Sequence, residues 1–492
     1  MGGTLVLEIP ARAWLYALGV GHSGLDGVPD AALNYLRTFD YVWLQGVWQT
    51  GKLGVELDRG LPERRAVYDQ VLPGWTEDDV VGSPYAIYDY RVAAELGGDD
   101  ALKRFRERLH PTRLLLDFVP NHMARDCPWP ERFFLHSMDG AEALPPVSET
   151  ATRHWQNLQQ GELERFQERY HQRLAGRDPY CGPWPDTAQL NYREPALRQH
   201  QCQVLCRIAD MADGIRADMA MMVLNDVFEW SWGDAAAVET AGPAPDNKEF
   251  WEEAIAAVRQ RRPDFLFLAE VYWDYEERLQ ALGFDATYDK KLYDLLHQRH
   301  LDRLRGYLRE RSAEFHARCV HFVENHDEPR AASHFGDVRV ANAAAALSFL
   351  LPGIRLEFWG QSEGRRARLD VHLRRAAAEP ERSVSSAQTG FYDRLHRILM
   401  LPILRQGRFV YSDQGPMQHW RIITWNWYLD NRAPGDCDAI RHLHIAANYS
   451  DEAVHYQHAY PCDLLNPDAT NLCELSPWTV RVLCEQKVSA SS

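Results

Sequence analysis

The feature that most constrains the fold is a repeated alternation of short apolar runs with longer helical patterns. Six runs each end in polar or charged residues, at 39–45, 113–122, 214–218, 265–270, 321–328 and 354–361. Helical patterns lie between several of them, at 99–109, 195–211, 248–261 and 339–351. Alternating strands and helices build parallel sheets, and continuous apolar strands indicate burial on both faces. The sequence therefore predicts the α/β class and a (β/α)8 TIM barrel, whose active site lies at the carboxyl ends of its strands.

Two regions depart from this alternation and predict further domains. Residues 123–190, rich in Trp, Pro, Arg and Glu, lie between the strand predicted at 113–122 and the strand predicted at 214–218, and they indicate an inserted domain B. After about residue 405 the apolar period becomes two, which predicts a C-terminal antiparallel β-sandwich. We assign the catalytic barrel to 1–122 and 191–404, domain B to 123–190 and the C-terminal β-domain to 405–492.

Charge and composition limit the kinds of molecule that the protein is expected to bind. The 492 residues carry a formal net charge of −16, which argues against nucleic acid or an anionic membrane and suits a neutral ligand. The N-terminal residues lack the pattern of a signal peptide, and the longest apolar run is too short to cross a membrane. Nine cysteines without a Cys-x-x-Cys pair predict reduced thiols. We therefore expect a cytoplasmic protein.

Three acids stand at the ends of three different predicted strands: Asp218, Glu270 and Asp327. Most glycoside hydrolases use two carboxyl groups that flank the bond to be cleaved. Arg216 lies two residues before Asp218, so both side chains share one strand face and the guanidinium favours an ionised Asp218. Glu270 lies among apolar residues, which raise a carboxyl pKa and suit a general acid.

Each of these residues also has an ordinary structural explanation. A single acid at a strand end is more often a helix cap or a turn residue, and a lone histidine such as His122 or His326 is more often structural. An Arg-x-Asp pair can be a surface ion pair that contributes little. The conjunction of four polar strand ends in one predicted barrel favours a shared site.

Six segments resemble the α-amylase family of glycoside hydrolases. DFVPNH (117–122), GIRADMA (214–220), FLAEVYW (267–273) and FVENHD (322–327) are similar to its four ordered sequence regions. GSPYAIYDYRV (82–92) and TAQLNYREP (187–195) resemble segments before strand three and at the end of domain B. The resemblance covers about residues 5 to 400, and residues 364–375 resemble an intracellular bacterial branch of the family.

The resemblance implies a retaining mechanism on α-glucosidic bonds, with an α-linked glucose oligosaccharide as the substrate. It implies Asp218 as the nucleophile, Glu270 as the acid/base and Asp327 as a third acid at the transition state. The implied substrate-binding residues are His122, Arg216 and His326 around the cleaved sugar, Tyr85 as a stacking platform, and Asp117 as a structural acid near the site. Met221 and Met222 replace a polar pair that is common in the family, which implies a less polar acceptor side.

No cofactor is required by this chemistry, although calcium is a further expectation. Asn121 matches a position that often binds calcium in the family. Gln189 replaces a common calcium-ligating Asp, and a neutral amide is the weaker ligand for a hard cation.

Three alternatives to hydrolysis stay open at this point. A transglycosylase or phosphorylase would use the same three acids with a different acceptor. A non-catalytic carbohydrate-binding homologue would not need all three. A metal-dependent barrel enzyme would need clustered His or Lys, and the predicted strand ends offer only His122 and His326. The sequence does not specify the sugar, the chain length or the oligomeric state, because loop residues set these.

Overall fold

The computed structural model describes residues 3–136, 172–180, 182–233, 248–379, 386–412, 419–430 and 440–485. Residues 137–171 and 181 of the predicted domain B lie outside the described residues, as do several stretches of the predicted C-terminal domain. The domain boundaries stay predictions.

Eight parallel strands form a closed barrel, which confirms the predicted fold class. The strand order around the barrel follows the order along the chain, and β8 pairs with β1. The strands are β1 (Leu5–Pro10), β2 (Tyr41–Gln45), β3 (Arg113–Phe118), β4 (Gly214–Ala217), β5 (Leu266–Ala269), β6 (Ala286–Tyr288), β7 (Cys319–His321) and β8 (Ile354–Phe358).

The apolar character of these strands follows from their burial, and one glycine shows how closely they approach. Leu114, Leu115 and Leu116 of β3 are all fully buried. A Cβ on Gly214 would lie 2.5 Å from the carbonyl oxygen of Leu266 and 2.6 Å from the side chain of Leu115. Glycine therefore opens β4 because a side chain there would collide with both neighbouring strands.

Two of the barrel strands were not predicted from the sequence, and a third strand ends earlier than predicted. β1 and β6 were not predicted, and β6 has only three residues, too few to show a period. The run at 321–323 was predicted as strand, but β7 ends at His321. The chain turns after it because the buried Glu324 carboxylate binds Arg330 Nη1 at 2.8 Å and accepts from Ala331 N at 2.7 Å.

The predicted helices are present with small shifts in their ends. The helix predicted at 195–211 spans Pro195–Met211, and Glu194 caps it by accepting from Ala196 N. Among the described residues, no helix has both the length and the apolar character needed to cross a membrane. The α-helices span Ala11–Ala17, Asp30–Leu36, Lys52–Gly60, Pro62–Val71, Gly98–Leu109, Pro195–Met211, Asn225–Trp232, Phe250–Arg261, Glu276–Ala281, Lys290–Gln298, Leu301–Glu310, Ala313–Ala317, Ala331–His334, Val338–Phe349, Ser386–Leu399 and Pro402–Gln406.

Two short antiparallel ribbons extend the region around β2 and β3. Trp48–Thr50 pairs with Ile87–Val92. His122–Ala124, four residues beyond the end of β3, pairs with Thr187–Gln189. The second ribbon places Gln189 opposite His122, so a residue from the end of the predicted domain B meets the end of the third strand.

The C-terminal region is antiparallel, as predicted. Its strands are β9 (Arg408–Tyr411), β10 (Ile422–Tyr428), β11 (His442–Asn448), β12 (Val454–His455), β13 (Cys462–Asp463), β14 (Glu474–Leu475) and β15 (Thr479–Cys484). Five of them form a sheet in the order β9-β10-β11-β15-β13, and β12 pairs with β14. Trp425 and Trp427 both donate to the carbonyl oxygen of Leu350, which satisfies an acceptor at the end of the helix Val338–Phe349.

The chain divides into two compact units. The first comprises Met1–Glu8, Ala286–Ala367 and Glu379–Ser492, and it contains β6 to β8 and the C-terminal sheet. The second comprises Ile9–Asp285 and Arg368–Ala378, and it contains β2 to β5.

Candidate active site

Arg216 joins two of the predicted catalytic acids. Its Nη1 donates to Asp218 Oδ1 at 2.6 Å, and its Nη2 lies 2.9 Å from Glu270 Oε2. All three side chains are buried, and Asp218 and Glu270 directly follow the adjacent strands β4 and β5. The two-residue spacing of Arg216 and Asp218 puts both on one strand face, as the sequence predicted.

Backbone and side-chain donors hold the Glu270 carboxylate. Met219 N donates to Oε2 at 2.7 Å, and the Tyr272 hydroxyl donates to Oε1 at 2.8 Å. Met219 adopts the left-handed conformation, with a φ of 40°, which only a constrained site imposes on a side chain of this size. Glu270 is buried after an apolar run, as predicted, and these donors show that its carboxylate also has polar partners. The raised pKa predicted for Glu270 stays a prediction.

Two aromatic rings pack against the Arg216 guanidinium. Its Cζ lies 5.1 Å from the ring centre of Trp43 and 5.4 Å from that of Tyr85. Gln45 Nε2 donates to the Tyr85 hydroxyl at 2.6 Å, which fixes the ring's position. Cation–π contacts of this kind hold a buried arginine without neutralising it. Tyr85 thus lies beside the predicted acids, and it is half-buried.

Asp117 is engaged by the protein itself. Its Oδ1 accepts from Trp43 Nε1 at 2.9 Å, and its Oδ2 accepts from Gly46 N at 2.7 Å. The two oxygens therefore hold Trp43 of β2 and Gly46, the residue after β2, and they fix the position of the Trp43 ring beside Arg216. A substrate contact for Asp117 stays a prediction, and the contacts in the structure are structural.

His122 is a neutral, buried imidazole next to Tyr85. Burial lowers its pKa to about 4, which a hydrogen bond to the backbone of Tyr85 only partly opposes. Asn121 Nδ2 lies 3.3 Å from His122 Nδ1, and the ring of Trp184 lies 5.2 Å away. Because no carboxylate contacts it among these partners, His122 is uncharged at pH 7.

In the first unit, His326 lies between two carboxylates. Its Nδ1 is 2.5 Å from Glu8 Oε1, and its Nε2 is 3.0 Å from Asp327 Oδ2. Burial alone would lower the pKa of His326, but the charges of Asp327 and Glu8 raise it to about 10. The imidazolium is therefore charged at pH 7. Asp327 itself has 49% of its side chain exposed, open to a ligand.

The residues at the predicted calcium position do not fit a calcium ion. The Nε2 of Gln189 donates to Asn121 Oδ1 at 3.0 Å and to the carbonyl oxygen of Asn121 at 2.9 Å. A donor group therefore occupies the side on which a cation would need oxygen ligands. Calcium binding through Asn121 stays a prediction.

Several residues near the predicted acids were missed by the sequence reading. Gln45 ends β2, so its position at a strand end was an available signal, whereas Trp43 and Glu8 lie within strands and carried no such signal. Tyr272 lies two residues after Glu270, the same spacing that linked Arg216 to Asp218. Met221 and Met222 are fully buried and pack in the interior, so they present no apolar surface to a ligand.

An aromatic cluster in the second unit includes Trp273, which follows Glu270 by three residues. The ring of Tyr180 is 4.9 Å from that of Trp273 and 5.8 Å from that of Trp230. Tyr180 is 68% exposed and Trp230 is 57% exposed. Exposed aromatic faces of this kind are suited to stacking on the apolar faces of sugar rings.

The chain matches a family model described as the α-amylase catalytic domain over residues 25–389. The chain belongs to the α-amylase family. It is 28% identical over 419 residues to the α-amylase MalA of Haloarcula japonica, covering 74% of this chain. The chain spans about half the length of that curated relative, 53%.

Solved structures show the same fold. An α-amylase from Lactobacillus plantarum superposes with a TM-score of 0.65 at 21% identity, covering 98% of both chains. A cyclic α-maltosyl-(1→6)-maltose hydrolase from Arthrobacter globiformis gives a TM-score of 0.65 at 17% identity, again over 98% of both chains. At these identities the likeness establishes the fold alone.

Proposed function

We propose that the protein is a retaining glycoside hydrolase that cleaves α-glucosidic bonds in glucose oligosaccharides. The observation that carries the proposal is one buried guanidinium in contact with two carboxylates, Asp218 and Glu270, at the ends of adjacent strands. Two closely placed carboxyl groups are what a retaining glycosidase needs.

In the first step, Glu270 in its protonated form donates its proton to the glycosidic oxygen. Asp218 attacks C1 of the sugar as the bond from C1 to that oxygen breaks, and the leaving sugar departs with the proton as a hydroxyl. Arg216 keeps Asp218 ionised for this attack. The product of the step is a covalent glycosyl-enzyme.

In the second step, the Glu270 carboxylate removes a proton from water as the water oxygen attacks C1. The bond from C1 to Asp218 breaks, and the sugar leaves with its original anomeric configuration. The two donors on Glu270, Met219 N and the Tyr272 hydroxyl, stabilise the carboxylate form that this step requires. The acid form required in the first step arises when the substrate excludes water from the carboxyl group.

We assign Asp327 to the sugar hydroxyls and the transition state. Its half-exposed carboxylate is oriented by His326, whose positive charge is fixed by Glu8 from the other side. An ionised carboxylate of this kind stabilises the positive charge that develops on the sugar ring. The cluster of Tyr180, Trp230 and Trp273 would stack on further sugar units, which favours an oligosaccharide over a monosaccharide glycoside.

The test is a panel of maltooligosaccharides and other α-glucosides, assayed with and without phosphate. We expect hydrolysis with the α-anomer released first, and a loss of about 10³-fold or more in Asp218→Asn and in Glu270→Gln. Azide sharpens the assignment on an aryl α-glucoside, whose leaving group needs no protonation. Glu270→Ala should regain turnover there, because azide attacks the glycosyl-enzyme without a general base.

Glu107→Gln is the matched control, an equivalent amide replacement at an exposed position on the helix Gly98–Leu109, and it should keep full activity. Longer oligosaccharides as the main product would indicate a transglycosylase, and a sugar phosphate would indicate a phosphorylase. Substrate binding without turnover by the folded wild type would indicate a carbohydrate-binding homologue and would reject the proposal.

A cytoplasmic location is part of the same proposal. The cysteines in the described part of the chain are free thiols, including Cys127, Cys319 and Cys484 in the interior. Free thiols suit a reducing compartment. The proposed chemistry uses side chains alone and requires no cofactor.

A further inference from the structure

Three residues of the first unit form a buried cluster that the proposed chemistry does not use. Asp289 caps the helix Lys290–Gln298, His316 lies in the helix Ala313–Ala317, and His321 ends β7. One possible ligand atom from each lies within 4.8 Å of the other two, and all three side chains are buried. Burying polar or charged groups costs free energy unless they form hydrogen bonds, pair with an opposite charge or coordinate a metal.

The carboxylate of Asp289 has one oxygen engaged and one available. Its Oδ1 accepts from Leu292 N at 2.9 Å and from the Tyr307 hydroxyl at 2.7 Å. Its Oδ2 has no hydrogen-bond donor among the described residues and lies 3.3 Å from His321 Nδ1. The carboxylate is therefore oriented by its first oxygen, with the second directed at the two histidines.

The tautomer of His321 follows from its other contact. Its Nε2 lies 2.8 Å from the carbonyl oxygen of Pro352, and only a protonated nitrogen can donate to a carbonyl. In the neutral ring, Nδ1 then carries a lone pair, and that lone pair faces the Oδ2 of Asp289. Two acceptors facing each other repel unless a proton or a metal cation lies between them. A backbone carbonyl that fixes the far nitrogen is the usual support of a metal-binding histidine.

His316 is the third member of the cluster. It is fully buried, and in the described part of the chain neither of its ring nitrogens has a hydrogen-bond partner. Its ring packs at 5.8 Å from that of Tyr307 and at 6.1 Å from that of His321. A buried imidazole is neutral, which is the form that binds a metal. Its unsatisfied nitrogens are explained if one of them coordinates an ion.

We propose that Asp289, His316 and His321 form a structural site for a divalent transition metal, with zinc as the best match. Imidazole nitrogen and carboxylate oxygen are ligands that zinc prefers. Bonds of about 2.0–2.2 Å in a tetrahedral site place the ligand atoms about 3.3 Å apart. The measured separation of Asp289 Oδ2 and His321 Nδ1 is 3.3 Å. A fourth ligand would be a water molecule.

Such a site would join three separate elements of one unit. The metal would link the N-terminus of the helix after β6, the short helix Ala313–Ala317 and the end of β7, with the helix Leu301–Glu310 between the first two. Asp327, the proposed third acid, follows His321 by six residues. The site would therefore fix the strand that precedes this acid, without contacting substrate. Because its ligands are buried, we infer that the metal is captured during folding.

The test is metal analysis of the full chain produced in zinc-supplemented medium. We expect about one zinc per chain that survives gel filtration. Removal by a chelator during unfolding, followed by refolding without metal, should lower the Tm. Added zinc should restore the Tm, and excess calcium should not. Cobalt refolded into the site should give the visible bands of a tetrahedral nitrogen and oxygen site, without the intense charge-transfer band of a thiolate.

Two variants and a control locate the metal. His316→Phe, which keeps an aromatic ring among aromatic neighbours, and His321→Gln should each lose most of the zinc. His300→Gln replaces an exposed histidine of the same segment and should keep it. The proposal is overturned if wild type holds no metal and its Tm ignores zinc, which would indicate a protonated His321 paired with Asp289. It is also overturned if both variants keep the metal.

Discussion

His122 and His326 both follow barrel strands and were both predicted to contact the sugar, yet the structure gives them opposite charges. Around His122 lie an amide, an indole and a backbone carbonyl, and burial lowers its pKa to about 4. His326 lies between Glu8 and Asp327, whose charges overcome burial and raise its pKa to about 10. Residue type and position are the same, and the neighbours decide the charge.

The difference has consequences for how each histidine can serve the proposed reaction. A neutral His122 can donate one hydrogen bond and accept another, which suits a sugar hydroxyl. The charged His326 donates from both nitrogens, and both are taken by carboxylates, so it positions Asp327. Arg216 has the corresponding role for Asp218 in the other unit, with a charge that does not titrate.

The strongest test of the comparison removes the His326 imidazolium from between the carboxylates of Glu8 and Asp327. His326→Gln leaves the fully buried Glu8 without its partner, and breaking a buried ion pair costs about 3–5 kcal/mol of the free energy of unfolding. Urea unfolding at pH 7 measures this loss. Combining it with Glu8→Gln should recover part of the stability, because no uncompensated charge is left. A loss below about 1 kcal/mol in the single variant contradicts the assigned charge.

The next test is the decrease in stability as the pH rises above neutral. The pKa of His326 is raised in the folded state, so its contribution is complete below a pH of about 6.5 and is lost as the pH rises toward about 10. Between pH 6.5 and about pH 9 the wild type should lose up to about 3 kcal/mol through this group. The loss is measured as the difference between wild type and His326→Gln. Equal slopes in the two proteins would show that His326 does not titrate there.

For His122 the expected loss of stability comes at acid pH and not at alkaline pH. Its pKa is lowered by burial, so the unfolded chain binds a proton before the folded one does. Stability should therefore fall by about 2–3 kcal/mol as the pH drops from about 6.5 to about 4. His122→Asn should remove this part of the fall, and the carboxylates contribute equally to both proteins. An identical acid limb in the variant would mean that His122 is not buried as a neutral ring.

The smallest expected effect distinguishes the contribution of the Tyr85 hydroxyl from that of the Tyr85 backbone. Tyr85→Phe removes the hydroxyl that accepts from Gln45, which should lower stability by about 1 kcal/mol. The backbone contact to His122 is unchanged, so the pKa of His122, followed by NMR, should stay near its wild-type value. A marked shift in that pKa would show that the hydroxyl matters to His122.

Much of the fold was readable from the sequence because its signals are local. Continuous apolar runs predicted six of the barrel strands, and a change of period predicted the C-terminal antiparallel sheet. The strands that were missed, β1 and β6, lie at the chain start or are too short to show a pattern. The pairing of Arg216 with Asp218 was also local, since two residues on one strand face are neighbours in any fold.

The charge states of the site could not be read in this way. Glu8 is 318 residues from His326, so no local pattern joins them. Met219 N and the Arg216 guanidinium contact Glu270 from the end of the adjacent strand, and its own sequence neighbours do not indicate these partners. The sequence by itself determined which segments are buried and where polar side chains leave them. Only the tertiary structure decided which of those side chains are charged, because a pKa depends on contacts between groups that are distant in the chain.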